Sequence, residues 1–179
     1  MPIAPIDKTL IYIVFKSKGS MRKSMITLTP MTPAYLEQVM TLSIAEDQLP
    51  YVGTIEEVLL NADDKVHPHL VLADDNVVGI FLIDTMYSGG YDFAPDRALG
   101  FRAFLVDITC QGKGYGSATT AELGSYLAQQ YPNFNTVYLT VNCKNPVAYR
   151  CYLNNGFSDS GELYLGGAAG PQHIMLMEL

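Results

Sequence analysis

The sequence predicts a single mixed α/β domain, and three observations lead there. The chain has 179 residues, the size of one domain. It is 49% hydrophobic and 16% charged, which leaves enough apolar surface for one sizeable core. Segments that alternate apolar and polar residues are interleaved with segments of helical period, without an internal repeat or a low-complexity tract.

The elements follow in order. Ile26-Thr27-Leu28-Thr29 alternates as a half-buried strand does. Thr32-Pro33 then supplies an N-cap and a proline at the first helical position, opening a helix over residues 34–45. Leu36, Val39, Met40 and Ser43 form its buried face. A second short helix begins at Thr54, with Glu56 and Glu57 in the first turn, where the helix dipole favours acids. His67-Pro68-His69 reads as a solvated turn. Residues 70–73, the turn Asp74-Asp75-Asn76 and residues 77–84 read as a hairpin. Residues 87–98 carry Gly, Asp and Pro and read as a loop. Residues 101–108 are a strand apolar enough to be buried on both faces. A glycine turn over 112–116 feeds a helix that runs to about Gln130, and residues 136–141 are again a strand. Asn145-Pro146 caps a helix that Gly156 ends, and residues 157–165 and 173–179 are the last strands.

Residues 1–25 differ in texture and are set apart as an extension, expected to be non-native or poorly ordered, with the domain at 26–179. The apolar run Leu10-Ile11-Tyr12-Ile13-Val14-Phe15 is shorter than the roughly 7–15 residues of a signal peptide core and is followed by basic residues.

Composition excludes several partners. The net charge of −7 argues against nucleic acid, which is gripped by clustered Lys and Arg. No apolar run approaches the roughly 18–20 residues needed to span a bilayer, so no membrane is expected. Cys110, Cys143 and Cys151 are odd in number and lack CxxC spacing, which points away from disulfides and zinc and toward a reducing cytoplasm. His67, His69 and His173 are too scattered for a metal site, and none is expected.

The strongest local signal is Gln111-Gly112-Lys113-Gly114-Tyr115-Gly116-Ser117, between a strand and a helix. Backbone N–H groups at a helix N-terminus lack intrahelical partners and face the positive end of the dipole. Glycines remove the Cβ atoms that would hold a phosphate away, and Lys113 adds a positive charge at the rim. A pyrophosphate is the natural guest. The spacing matches neither a Walker A loop nor a Rossmann fingerprint, and a ligand-free glycine connection is an equal alternative for the loop alone.

A second motif decides between them. Gln111-x-x-Gly-x-Gly, followed some thirty residues later by Asn145-x-x-Ala148-x-Arg150-x-Tyr152-x-x-x-Gly156-Phe157, resembles the GNAT family of N-acetyltransferases over nearly all of residues 26–179. Phe104-Leu105-Val106-Asp107 ahead of the loop most resembles the branch with spermine and spermidine acetyltransferases. The resemblance implies a mixed central sheet of about six to seven strands flanked by about four helices, with splayed central strands. The splayed pair is then residues 101–108 and 136–141, with the pantetheine arm of acetyl-CoA between them.

Carried over residue by residue, the resemblance gives these roles. The backbone of Val106, Asp107 and Ile108 binds pantetheine as an added strand, and the N–H of Val106 or its neighbour polarises the thioester carbonyl. Gln111, Gly112, Gly114 and Gly116 cradle the pyrophosphate, with Lys113, Tyr115 and Ser117 in the same loop. Asn145 contacts pantetheine from the far wall, although Asn-Pro is also simply a good helix start. Tyr152 is the general acid that protonates the departing thiolate. Its spacing with Ala148 and Cys151 equally suits a core face, and Tyr149 lies close enough to be mistaken for it. Cys151 reads as packing rather than a nucleophile. The chain departs from the family pattern at Ile108, where proline is common, at Asn155, commonly leucine, and at Gly100, near the place of a glutamate base in histone-type members. Asp84, Glu46 and Asp47 are candidate bases by placement, and none is assigned.

Acceptor choice in the family comes from the first helices and variable loops, here Glu46-Asp47-Gln48-Leu49-Pro50-Tyr51 and residues 87–96. Both mix acids with aromatics, the combination that holds an ammonium, so Glu46, Asp47, Tyr51 and Asp84 are the candidate acceptor residues. The expectation is a cytoplasmic, acetyl-CoA-dependent N-acetyltransferase acting by direct attack of a small cationic amine, polyamine-like first. The resemblance also allows a homodimer. The rival is a non-catalytic acyl-CoA-binding sensor of the same fold; a nucleotide-binding domain is a third reading.

Overall fold

In the computed structural model, residues 26–179 are described; the extension set apart in the sequence lies outside the described residues. Strand β1 (Ile26–Pro30) leads through a 3₁₀ turn (Pro33–Tyr35) into α1 (Leu36–Met40), α2 (Leu49–Val52) and α3 (Ile55–Leu60). A hairpin of β2 (Val66–Ala73) and β3 (Asn76–Asp84) follows, then the one-turn helix α4 (Tyr87–Gly90) and strand β4 (Ala98–Val106). The long helix α5 (Tyr115–Gln130), β5 (Thr136–Asn142), α6 (Pro146–Asn154), β6 (Ser158–Tyr164) and β7 (Gln172–Glu178) complete the chain. The strands form one seven-stranded sheet in the order β1-β2-β3-β4-β5-β7-β6. Every neighbouring pair is antiparallel except β4 and β5, which run parallel.

The central strands are buried on both faces, so they read as apolar runs rather than alternations. Along β2 and β3, Leu70, Leu72, Ile80 and Leu82 point to one core with Val39, Ile55 and Val58 of α1 and α3. Their neighbours Val71, Phe81 and Ile83 point to the other, where Leu123 and Leu127 of α5 pack against Leu99, Phe101 and Val137. The two-residue period of a strand thus divides one apolar run between two helical layers.

Two departures in the ladder position the site. The β4–β5 pairing covers residues 98–100 against 136–138 and stops there, although both strands continue. The expected splay is therefore present. Between the pairs Leu82↔Arg102 and Ile80↔Leu105, β4 carries one residue more than β3. Ala103 sits in this bulge at φ +49°, a left-handed conformation that alanine adopts only under constraint. A bulge bends the strand that contains it, and here it lies where β4 leaves β5.

Several expectations are corrected. The helix over 34–45 is shorter, because its backbone donors are diverted: Ser43 donates its N–H to Asp107 Oδ2 at 2.8 Å and accepts from the Ile108 N–H at 2.9 Å. The Thr32 side chain makes no capping bond. Of its expected inward face only Val39 is buried, while Leu36 and Met40 are about half exposed and Ser43 is exposed. Between the two expected helices, the stretch from Leu49 forms a further helix, α2. The loop from Tyr87 begins with a helical turn, α4. By contrast Thr54 and Glu57 form a reciprocal capping box, as the first-turn acids anticipate.

The largest correction is His67-Pro68-His69, which lies within β2 rather than in a solvated turn. His69 is buried; its Nδ1 is 2.6 Å from the Tyr126 hydroxyl and its Nε2 2.7 Å from the Tyr131 hydroxyl. Burial holds the imidazole neutral and pulls its pKa down to about 3. An unfolded histidine titrates near 6.5, so below that pH the unfolded chain takes up a proton that the folded chain refuses. Stability is thus full above about pH 6.5 and falls as the pH drops toward 3, by at most about 1.4 kcal/mol per pH unit. We expect urea unfolding to show this loss between pH 6.5 and 4.5, and His69→Gln, though less stable at pH 7.5, to show a flatter profile. A wild-type profile flat over that range contradicts the assignment.

Candidate active site

The glycine loop enters α5 through residues that leave its end bare. Gly112 and Gly114 hold φ of +73° and +87°, where a side chain is strained. A Cβ added at Gly112, Gly114 or Gly116 would meet nothing within 4 Å, so the cradle opens to free space. The N–H groups of Gly112, Lys113, Gly114, Gly116 and Ser117 find no acceptor among the described residues, as expected at a helix start. The loop thus fits a diphosphate.

The loop borders a cavity of about 760 Å³ between the end of β4 and α6, lined by Val106, Gln111 and Gly112, by residues 114–117, and by Asn145 and Tyr152. A second cavity of about 390 Å³ lies in the gap between β4 and β5, lined by Arg102, Tyr87, Tyr91, Asn142 and Gln172 among others. Tyr51, Val52, Phe104, Asn145, Ala148 and Tyr152 border both. The phenol of Tyr152 therefore stands where the two spaces meet. Its ring packs edge-on against Phe101 and Phe157, at 6.1 and 5.6 Å between centroids. Among the described residues its hydroxyl has no hydrogen-bond partner, and burial pushes its pKa well above the ordinary tyrosine value.

The neighbours that could be confused with it are occupied. Tyr149 donates to Asp159 Oδ2 at 2.8 Å, packs its ring at a tilt against His173 and lines neither cavity. The Cys151 thiol lies 3.8 Å from Thr120 Oγ1, and burial raises its pKa, which suits packing. Asn145 borders both cavities, yet its side chain accepts from the Ala148 N–H and caps α6.

At the end of β4 the backbone is partly spent. The Asp107 N–H donates to Val78 O and the Ile108 N–H to Ser43 O, each at 2.9 Å, and neither residue lines the cavity. Val106 O accepts from Gln111 Nε2 at 2.9 Å. Because bonding sides alternate along a strand, the Asp107 N–H directed at β3 leaves the Val106 N–H facing the gap. The expected three-residue contact thus narrows to one donor. The Asp107 carboxylate accepts from Ser43 N, Thr109 N and Thr109 Oγ1; burial raises its pKa, but these bonds outweigh it and hold the group below the usual range. Asp107 holds the loop.

The acceptor-side candidates divide. Asp47 and Tyr51 line the larger cavity, whereas Glu46 lines neither. Asp84 also lies off both; its Oδ2 accepts from Arg102 Nη1 at 2.9 Å and its Oδ1 from the Met86 N–H at 2.9 Å, so it is no free base. Lys113 is exposed at the rim. Two residues were missed. Gln48 pairs with Gln111 (Nε2 to Gln48 Oε1, 2.9 Å), tying α2 to the glycine loop. Arg102 is the lone charge in the apolar strand Ala98–Val106, the one signal that could have found it. No cluster of three potential metal ligands occurs among the described residues, and no helix there is long and apolar enough to cross a membrane.

Residues 34–157 match the family model described as the acetyltransferase (GNAT) family. The chain is 27% identical over 146 residues to the spermine/spermidine N(1)-acetyltransferase of Bacillus subtilis strain 168, covering 79% of this chain and 90% of that protein. Among solved structures, aminoglycoside acetyltransferase AAC(6')-Ib in complex with coenzyme A superposes with a TM-score of 0.69 at 19% identity, over 86% of this chain and 94% of that one. Spermidine N-acetyltransferase from Vibrio cholerae in complex with CoA and spermine gives 0.62 at 19% identity, over 86% and 95%.

Proposed function

Since the chain belongs to the acetyltransferase (GNAT) family, we propose that it transfers the acetyl group of acetyl-CoA directly to the primary amine of a small molecule, with Tyr152 as the general acid. The observation that carries this reading is the meeting of a diphosphate-sized cradle, an unpaired strand edge and a second cavity at one partnerless phenol. When bound, acetyl-CoA would supply a thioester. The N–H groups of the glycine loop and the positive end of α5 would hold its diphosphate, and the Val106 N–H, which faces the gap, would polarise the thioester carbonyl. Tyr152, its pKa raised by burial, stays protonated at neutral pH and so holds the proton that a departing thiolate needs. An alkylammonium titrates near 10, so the neutral amine is the attacking form, and its proton leaves to water.

A small cationic acceptor is supported by the net charge of −7 and by Asp47 and Tyr51 on the larger cavity, and the printed names of the curated relatives make a polyamine the first acceptor to assay. The unpaired Cys110, Cys143 and Cys151 suit a reducing cytoplasm.

The test is release of free CoA thiol from acetyl-CoA across polyamines, aminoglycosides and amino acids. Release that depends on the amine is expected. Acetyl-CoA binding without release from any amine would instead mark an acyl-CoA sensor.

A further inference from the structure

We propose that the acceptor carries a carboxylate as well as its amine, and that Arg102 binds that carboxylate; this rests on the acetyltransferase reading above. The smaller cavity is lined by tyrosines, carboxamides and apolar groups, and Arg102 is its one charged lining residue. No Asp or Glu lines it. A chain of ammonium groups reaching into this space would meet a guanidinium and no acidic group in the lining, the nearby Asp84 being already paired with Arg102. An amine that bears an anion would find its partner.

The guanidinium is set up for this. Asp84, which does not line the cavity, accepts from Nη1 at 2.9 Å, and the Arg102 side chain remains 39% exposed against 13% for Asp84. Asp84 is fully engaged, since its other oxygen accepts from the Met86 N–H. Guanidinium presents five N–H donors in a planar fork, and among the described residues no second acceptor engages them. A free fork edge suits a carboxylate, which it can bind through two parallel bonds. The bulge and its flanks place it there. Gly100, on the same face of β4, has no Cβ, which would fall 2.1 Å from the Tyr87 ring, so Tyr87 closes that wall beside Arg102. A volume of about 390 Å³ accommodates an amino acid or a dipeptide.

Tyr152 and Arg102 both line this cavity, and the proposal assigns the first to the amine and the second to the carboxylate. The ammonium first gives one proton to water; the neutral amine nitrogen then bonds to the thioester carbonyl carbon, the C–S bond breaks as the thiolate takes the Tyr152 proton, and the second proton lost by that nitrogen returns through water to the Tyr152 phenolate. The products are an N-acetylated amino acid or peptide and free CoA.

The full chain is assayed by CoA-thiol release with amino acids and dipeptides, with the corresponding carboxamides, and with spermidine. We expect the carboxylates to exceed their carboxamides at least tenfold in kcat/KM, and Arg102→Gln to abolish that preference chiefly through KM while the acetyl-CoA Kd stays unchanged. Arg102→Lys, which keeps the charge beside Asp84 but loses the fork, is expected to retain a weakened preference and serves if the glutamine variant fails to fold. Equal rates for carboxylate and carboxamide, or spermidine as the better acceptor, overturn the role of Arg102 and leave the acetyltransferase reading standing. Thiol release from no amine overturns both.

Discussion

Replacing Tyr152 by phenylalanine is expected to lower turnover about 10²–10³-fold, the usual contribution of a positioned general acid. The substitution removes one oxygen and keeps the ring that packs on Phe101 and Phe157, so the fold has little to lose. The hydroxyl leaves no orphan behind, because it bonds no described residue. Acetyl-CoA affinity, measured by calorimetry, should stay within about twofold, well under 1 kcal/mol. Parallel loss of affinity and turnover would assign Tyr152 to the core instead. Tyr149→Phe is the control: its hydroxyl is given to Asp159 on β6, away from both cavities, and its removal should leave turnover near that of the unaltered protein.

Gly116→Val carries the second large effect. Gly116 lies in the first turn of α5, and a Cβ there meets nothing within 4 Å. The folded chain therefore accepts the valine, and thermal stability should hold within a few degrees. The added methyls occupy the space where the bare N–H groups converge. Acetyl-CoA Kd is expected to rise about 10–100-fold, equivalent to about 1.4–2.8 kcal/mol. Affinity preserved in a folded variant would remove the diphosphate from this loop. Gly112 and Gly114 are poorer probes, since their positive φ would add backbone strain to any loss of binding.

Most of the sheet was legible because buried strands and capped helices leave local marks. The Thr54 box, the Asn145-Pro146 start and the glycine entry to α5 each satisfy specific backbone donors or leave them free by design. What failed was non-local. Nothing near Ser43 announces that Asp107, 64 positions away, will take its N–H and end the first helix early. Nothing around His69 announces Tyr126 and Tyr131, which turn a polar triplet into strand interior. In the site, the glycine loop and Tyr152 belong to short motifs and could be read. The bulge at Ala103 depends on how β4 counts against β3, and Arg102 and Gln48 acquire meaning only from partners elsewhere in the chain.

Ala103 is the one residue of β4 in excess of its neighbour, and the strand on either side of it keeps its facing: Phe101 and Phe104 toward one core, Leu105 toward the other. A chain shortened by that alanine would preserve this pattern and straighten, carrying the far half of β4 back alongside β5. The sheet would gain hydrogen bonds and the gap between the two strands would shut. Rigidity and catalysis pull this strand in opposite directions, and a single insertion settles the contest in favour of the opening.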